Sequence, residues 1–254
     1  MATIRELASQ LRLTYVRDNA EEMVRRAKQT GQDTGTLLED LLTGEIERRS
    51  ENGIARRIAD AHFPIKKYLA GFDRGRYSPA FSPKFDELET LQFIDNKENI
   101  ILIGTSGAGK THYATALGIA ACKQGKSVLF STVPNLIVEL KEAMSHQQLS
   151  IYRRKFERFS LVILDELGYI SYDKTGAELL FQMLSNRHSI GGSVIVTTNL
   201  TFDCWENVLG DPVLSNAMID RLAHKAHILD ISREHGGRFE ETLAWLKNKE
   251  DLAA

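Results

Sequence analysis

The stretch GTSGAGKTH combines glycines, a lysine and a threonine at the spacing that phosphate binding requires. It follows the apolar run NIILI and precedes the helical pattern THYATALGIAACKQG. Gly104, Gly109, Lys110 and Thr111 fill the fixed places of G-x-x-x-x-G-K-[ST], which binds a nucleoside triphosphate between a strand and a helix. The glycines let backbone N–H groups turn toward phosphate oxygens, and the helix N-terminus adds partial positive charge. A plain glycine-rich turn, the alternative, would need neither the lysine nor the threonine.

The side chains that end this stretch have distinct expected roles. Lys110 is predicted to reach the β- and γ-phosphates of the nucleotide, and the Thr111 hydroxyl to ligate Mg²⁺; the loop alone does not separate kinases, GTPases and ATPases. The candidate cofactor-binding residues of the stretch are Gly104, Thr105, Ser106, Gly107, Ala108, Gly109, Lys110, Thr111 and His112.

Two adjacent carboxylates, Asp165 and Glu166, end the apolar run LVILDE. Asp165 is expected to hold Mg²⁺, directly or through water, and Glu166 to orient and deprotonate the attacking water. Paired carboxylates at a strand end favour hydrolysis; the alternative is that both are simply polar residues that end a strand. A GTPase would carry N-K-x-D downstream, whereas the similar string NKEN at residues 96–99 lies upstream and lacks the aspartate.

Two further polar residues end predicted elements. The run SVIVTTN ends at Asn199, which is predicted to hold the same water or to sense the γ-phosphate, with Thr198 as the alternative. Arg221 ends a helical stretch before the last apolar run and could stabilise charge on the γ-phosphoryl group of a neighbouring subunit. The alternative for Arg221 is a salt bridge with Asp220 or another acid.

Five short apolar runs alternate with helical stretches and must position these residues. Continuous apolar runs are typical of strands buried on both faces, and their alternation with helices predicts an α/β fold with a parallel sheet between helices. The runs are NIILIG, SVLFST, SLVILDE, GSVIVTTN and AHILDI.

Three segments organise the chain. Residues 1–65 are predicted to form a small helical N-terminal domain that binds DNA or protein, residues 66–90 a basic, aromatic connector, and residues 91–254 the nucleotide-binding domain. Apolar residues repeat every three or four positions near the start and predict a helix with one apolar face. The residues of that face are Ile4, Leu7, Ala8, Leu11 and Tyr15.

Composition excludes several classes of protein. With 43% apolar and 26% charged residues the chain lies in the globular range. No run of about 18 apolar residues predicts a membrane span. Cys122 and Cys204 lack metal or redox spacing and are expected to be reduced thiols of a cytoplasmic chain. A net charge of −2 means that any nucleic-acid surface must be local.

The wording of the motifs resembles the IstB family of ATP-binding transposition helpers, which are AAA+ ATPases related to the DnaC helicase loader and DnaA-type initiators. The resemblance extends from about Phe63 to Ile231 and includes F-P-x-x-K-x-L-x-x-F at residues 63–72. It implies an AAA+ P-loop core with a five-stranded parallel sheet. The segments that carry it are NIILIGTSGAGKTHYATALG, LVILDELGY, ELLFQMLSNRH, TTNLTFDCW and AMIDRLAHKAHIL.

The resemblance also implies residue roles. It makes the GTSGAGKT stretch the Walker A site and Asp165–Glu166 the Walker B site, with Asn199 as sensor 1 and Arg221 as an arginine finger. The family usually ends with G-E-S-Y-R, whereas this chain has REHGGRF. Arg238 is therefore the expected second sensor, with Arg233 as the alternative.

A basic segment between the second and third predicted strands is the candidate DNA-binding surface. In related initiators this region faces the DNA, and clustered cations would bind the backbone without sequence preference. The alternative is a charged outer helix face. A second candidate is the group of five basic residues between Lys66 and Lys84. The residues predicted to bind DNA in the first segment are Lys141, Arg153, Arg154 and Lys155.

The resemblance implies a helper of insertion-sequence transposition. The chain is expected to form an ATP-dependent ring or helix on duplex target DNA, to deform that DNA and to recruit a separate transposase. One alternative is a DnaC-like helicase loader, which would grip single-stranded DNA. A second alternative is a nucleoside or small-molecule kinase, against which Asp165–Glu166 and Arg221 argue.

Overall fold

The computed structural model describes residues 2–231. The chain divides into two compact units, Met1–Arg56 and Arg57–Ala254. The sequence predicts that the N-terminal domain ends at residue 65. In the structure, residues 57–65 belong to the second unit. Arg233 and Arg238 lie outside the described residues.

The first unit is helical and is built on α1 (Ile4–Gln10), α2 (Thr14–Thr30) and α3 (Thr34–Asp60), the last of which continues past Arg56. Helix α2 has no side-chain cap of its own. The buried Glu45 carboxylate of α3 accepts the N–H groups of Tyr15 (2.7 Å) and Val16 (3.4 Å) instead. These hydrogen bonds and Arg49 outweigh the effect of burial and lower the pKa of Glu45, so the carboxylate caps the helix in its charged form.

The predicted apolar face of α1 is not buried within the described residues. Ala8 is buried, but Ile4, Leu7 and Leu11 are 50%, 47% and 67% exposed. Spacing of three and four residues identifies the helix and its apolar side, but it does not determine how much of that side neighbouring helices cover.

The connector folds as part of the second unit. It contains three short 3₁₀ turns, Leu69–Gly71, Arg74–Arg76 and Pro79–Phe81, followed by α4 (Ser82–Glu89) and α5 (Gln92–Asp95). Its aromatic residues pack inward, and Phe72 and Phe85 are 8% and 1% exposed. Aromatic burial, which dominates core energetics, explains why this segment is structured although it lacks long helices.

The second unit contains a five-stranded parallel sheet in the order β2-β3-β4-β1-β5. The predicted α/β architecture is therefore confirmed. The strands are β1 (Asn99–Ile103), β2 (Val128–Thr132), β3 (Leu161–Leu167), β4 (Ser193–Thr198) and β5 (Ala226–Asp230). The helices that follow α5 are α6 (Lys110–Lys123), α7 (Val133–Ser145), α8 (Leu149–Glu157), α9 (Lys174–Ile190), α10 (Trp205–Leu209) and α11 (Pro212–Ala223), with a 3₁₀ turn at Phe202–Cys204 before α10.

Both faces of the sheet are covered by apolar side chains, which is why its strands read as continuous apolar runs. One core contains Ile101 and Ile103 of β1 together with residues of α7, α9, α10 and α11. The other core contains Ile100 and Leu102 with residues of α6 and the connector. Alternate residues of one strand thus serve opposite cores.

Arg187, in the last turn of α9, is completely buried and joins the ends of three segments. Its guanidinium donates to the carbonyl of Phe156 (3.2 Å) and to those of Phe159 (2.9 Å) and Ser160 (3.2 Å) at the start of β3. It also donates twice to the carbonyl of Ser193, at 3.2 and 2.9 Å. Burial lowers the pKa of Arg187 to about 10, which leaves it charged at neutral pH.

The carboxyl ends of β1, β3 and β4 lie side by side at one edge of the sheet, because parallel neighbours end together. The glycine-rich stretch of residues 104–111, called the P-loop below, follows β1. Asp165 and Glu166 lie in β3, and Asn199 follows β4. The topology thus brings three sequence-predicted groups to one edge. Within residues 2–231, no helix is both long and apolar enough to cross a membrane.

Candidate functional site

The P-loop connects the buried strand β1 to the N-terminus of α6. Gly107 and Gly109 have φ values of 74° and 98°, a left-handed backbone conformation that residues other than glycine seldom adopt. A Cβ at Gly107 would meet nothing within 4 Å. Helix α6 has 14 residues and begins at Lys110, directly after the loop. Its first N–H groups and the positive end of its dipole therefore point at the loop. This arrangement suits an anion such as a phosphate.

Lys110 is held within the loop. Its side chain is 5% exposed, and its Nζ donates to the carbonyls of Gly104 (2.8 Å) and Thr105 (2.9 Å). The cation therefore lies beside the backbone that would surround the phosphates.

Tyr77 of the connector packs on the end of the P-loop. Its hydroxyl donates to the carbonyl of Ala108 at 2.6 Å. A Cβ added to Gly109 would lie 2.4 Å from the Tyr77 hydroxyl oxygen. Phe72 stacks on Tyr77, with ring centroids 5.2 Å apart. No feature of the sequence indicates this contact, because the two segments are 31 residues apart.

His112 lies in the first turn of α6 against the same aromatic residues. Its ring is edge-on to Phe72, with centroids 5.5 Å apart. Burial, with the nearby Lys67 cation, lowers the pKa of His112, so the imidazole is neutral at pH 7. Its Nε2 is buried and has no hydrogen-bond partner among residues 2–231.

Asp165 connects β3 to the P-loop helix. Its carboxylate is 3% exposed, and the Thr111 hydroxyl lies 2.9 Å from Oδ1 and 3.0 Å from Oδ2. Hydroxyl and carboxylate oxygens are the ligands that Mg²⁺ prefers. The pair predicted from sequence to hold Mg²⁺ is thus in direct contact.

Glu166 has an unusual backbone conformation. Its φ is 63°, and the register of β3 against β4 shifts between Leu164 and Leu167. The Glu166 N–H donates to the Thr197 hydroxyl at 3.0 Å, and the same hydroxyl donates to Asp165. A bulge with a left-handed residue re-aims a side chain at some cost in strain, and such strain concentrates at functional sites.

The two candidates at the end of β4 differ in their contacts. Thr198 is buried, and its Oγ1 accepts the N–H of Leu200 at 3.0 Å. Asn199 is half-buried, and its Oδ1 is buried but finds no hydrogen-bond partner among residues 2–231. An orphan acceptor next to the carboxylate edge favours Asn199 as the residue that binds water or a phosphate-linked group.

Arg221 is held by an aromatic ring. Its guanidinium carbon lies 4.7 Å from the centre of the Phe181 ring on α9, and Nη1 donates to the carbonyl of Ala217 at 2.8 Å. In the described part of the chain, Arg221 forms no ion pair with Asp220 or any other acid. The salt-bridge alternative therefore has no support here, and the half-buried guanidinium keeps donors for another group.

The basic residues predicted to bind DNA separate into two sets. Arg153, Arg154 and Lys155 are exposed on α8, where Arg153 is 3.7 Å from Glu157. Lys141 lies on α7 and is paired with Asp173 at the start of α9. The exposed cations of α8 thus form one group, to which the paired Lys141 does not contribute a free charge.

The connector is a weaker candidate for DNA binding than its composition suggests. Arg74 is 2.6 Å from both Asp86 and Glu89, Arg76 is 3.0 Å from Asp73, and Lys84 is 2.8 Å from Glu87. Most of these acids follow Lys84 in the chain and so lie just beyond the basic stretch of residues 66–84.

Sequence reasoning missed Thr197. Its hydroxyl contacts both Asp165 and Glu166. The available signal was its place near the end of β4, two residues before Asn199.

The comparisons with known proteins give one answer. A family described as "IstB-like ATP binding protein" matches residues 6–240. An insertion sequence IS5376 putative ATP-binding protein of Geobacillus stearothermophilus is 32% identical over 97% of this chain and 98% of its own length. An insertion sequence IS21 putative ATP-binding protein of Pseudomonas aeruginosa is 33% identical over 92% of this chain and 88% of its own length.

Solved structures show the same fold at low identity. AMPPCP-bound DnaA from Aquifex aeolicus is 18% identical, covers 74% of this chain and 56% of its own, and has a TM-score of 0.57. The DnaC helicase loader is 22% identical, covers 61% of this chain and 93% of its own, and has a TM-score of 0.50. The fold is that of AAA+ P-loop domains, as predicted.

Proposed function

Because the chain belongs to the family of IstB-like ATP-binding proteins, we propose that it is an ATP-hydrolysing helper of insertion-sequence transposition that assembles on duplex DNA. One observation carries the proposal: the Thr111 hydroxyl of the P-loop helix lies 2.9 and 3.0 Å from the two Asp165 oxygens. This contact joins the phosphate-binding loop to the carboxylate strand, the arrangement on which hydrolysis in P-loop NTPases depends.

The residues present fit ATP and Mg²⁺. The left-handed glycines open the loop toward the N-terminus of α6. The N–H groups of the loop and of the first turn of α6 therefore donate to phosphate oxygens, and Lys110 donates to the β- and γ-phosphates. Thr111 and Asp165 supply oxygen ligands for Mg²⁺. When bound, Mg²⁺ neutralises charge on the β- and γ-phosphates.

Glu166 is the proposed general base. It accepts a proton from water as the water oxygen bonds to the γ-phosphorus and the bond from that phosphorus to the ADP oxygen breaks. The Oδ1 atom of Asn199, which has no partner among the described residues, is the proposed hydrogen-bond acceptor for the other O–H group of that water. The low exposure of Asp165 limits competing bulk water near the cation ligands.

Arg221 is proposed to act on the nucleotide of a neighbouring copy. Its guanidinium is stacked on Phe181 rather than paired with an acid, so it is oriented without being neutralised. An arginine that stabilises the γ-phosphate across an interface makes ATP occupancy control self-assembly.

Mixing two inactive variants tests this arrangement. Lys110→Ala removes the phosphate lysine and Arg221→Ala removes the finger, so each alone is expected to be inactive. Random 1:1 assembly should restore up to about a quarter of the wild-type rate, since about half of all sites would keep Lys110 and about half of those would adjoin a subunit that keeps Arg221. The measurement is phosphate release against mixing ratio. A chain with both changes is the control, and the absence of rescue at every ratio would place Arg221 outside the site.

The exposed cations of α8 are the proposed DNA contact. A charge of −2 for the whole chain gives no general attraction, so binding depends on Arg153, Arg154 and Lys155. Their partners would be backbone phosphates, which carry no sequence information. The transposase is proposed to be a separate protein recruited to this assembly.

Gel shifts with duplex and single-stranded DNA of one sequence test the proposal. With ATP and Mg²⁺ the chain should prefer duplex, and Arg154→Ala with Lys155→Ala should weaken binding at least about tenfold and flatten the salt dependence. The control is Arg76→Ala with Lys84→Ala, which removes two cations already paired with acids and should change affinity little. Preference for single strands would favour a helicase loader, and indifference to DNA with every nucleotide would refute the proposal.

A further inference from the structure

The bulge in β3 lies opposite a single residue of β4. The ladder pairs Leu164 with Val196 and then Leu167 with Thr198. Asp165 and Glu166 therefore face one residue, Thr197. Two residues against one leave a backbone group without its regular partner, and a buried group of this kind needs another.

Thr197 supplies that partner with its side chain. Its hydroxyl accepts the Glu166 N–H at 3.0 Å and donates its own proton to Oδ1 of Asp165. The residue is 1% exposed, so no solvent competes for these contacts. A hydroxyl has one donor and can accept as well, and both capacities are used here on consecutive residues.

We infer that Thr197 is a positioning residue for ATP hydrolysis, which fixes the proposed Mg²⁺ ligand and the proposed general base through one hydroxyl. The inference rests on the proposed function. Thr197 donates to Oδ1 of Asp165, and the Thr111 hydroxyl lies 2.9 Å from the same oxygen and 3.0 Å from Oδ2. The carboxylate is thereby orientated toward the P-loop helix.

The same hydroxyl stabilises the strained turn at Glu166. That residue has a φ of 63°, which glutamate seldom adopts, and its N–H is bonded only while the bulge persists. Without the hydroxyl, a relaxed backbone would move the Glu166 carboxylate. A misplacement of about 1 Å can cost about a hundredfold in rate.

Thr197→Val keeps the shape of the side chain and removes the hydroxyl. We expect kcat for ATP hydrolysis to fall about 30-fold or more while the ATP dissociation constant changes less than about threefold, because the P-loop is untouched. Thr197→Ser, which keeps a hydroxyl, should retain most of the activity. The control is Thr201→Val, since Thr201 is also buried but its hydroxyl donates to the Cys204 sulfur, at 3.7 Å, rather than to Asp165.

A second measurement does not depend on activity. Exchange of the Glu166 amide, followed by NMR on ¹⁵N-labelled full-length chain, should be at least about tenfold faster in Thr197→Val than in wild type or Thr201→Val. If Thr197→Val does not fold, Thr197→Cys takes its place, because a thiol is a weak donor.

The outcomes separate the two proposals. Wild-type kcat or unchanged Glu166 exchange in the Thr197→Val chain would overturn the role of Thr197, as would equal losses in the Thr197 and Thr201 variants. A wild-type chain that hydrolyses no ATP would instead refute the proposed function, whereas faster Glu166 exchange would still establish the hydroxyl bridge.

Discussion

Glu166→Gln should release phosphate at least about a hundredfold more slowly than the wild type while binding ATP with similar affinity. Removal of a general base typically costs a factor of about 10² to 10⁴. Glutamine has nearly the shape of glutamate and can keep the bulge and the N–H bond to Thr197, so the loss would report chemistry rather than folding. Because ATP would persist, the DNA-bound oligomer should accumulate.

Single-turnover phosphate release and gel shifts in the presence of ATP measure the two effects. Glu142→Gln, an exposed change on α7, is the control and should leave both unchanged. Normal turnover by Glu166→Gln would assign the base to another residue. Loss of ATP binding would show that Glu166 contributes to the ground state instead.

Arg187→Met should lower the free energy of unfolding by about 3 kcal/mol, because loss of the guanidinium leaves several buried carbonyls without their donor, at about 1–3 kcal/mol for each that stays unsatisfied. The guanidinium satisfies carbonyls at Phe156, Phe159, Ser160 and Ser193. Methionine fills much of the same volume and donates nothing. The expected loss is a large share of the stability of an ordinary domain.

Urea unfolding followed by tryptophan fluorescence measures this change, since Trp205 is completely buried in the same unit. Arg154→Met on exposed α8 is the control and should remain within about 0.5 kcal/mol of wild type. A loss below about 1 kcal/mol for Arg187→Met would mean that water can replace the guanidinium at these carbonyls.

The sequence predicted those parts of the site that local pattern determines. The P-loop was recognisable because its glycines, lysine and threonine are contiguous, and the strands because burial on both faces requires unbroken apolar runs. Asp165 and Glu166 were identified because they interrupt such a run. The contact between Thr111 and Asp165 then follows from parallel strands ending at one edge.

Features that depend on three-dimensional register could not be predicted in this way. The role of Thr197 depends on a bulge, and nothing in LVILDEL marks the residue at which the ladder shifts. The neutralisation of Arg74 depends on Asp86 and Glu89, which a helix brings back to it. The exposure of Leu11 depends on how much surface the neighbouring helices cover, which periodicity does not determine.

The position of Tyr77 restricts which mutations this nucleotide-binding loop can tolerate. At Gly107 a replacement would meet only the backbone penalty, because the space beside it is open. At Gly109 even alanine would also collide with the Tyr77 hydroxyl. A substitution at Gly109 would thus require a compensating change at Tyr77, which lies in a distant segment. Positions 77 and 109 should therefore covary among descendants of this gene.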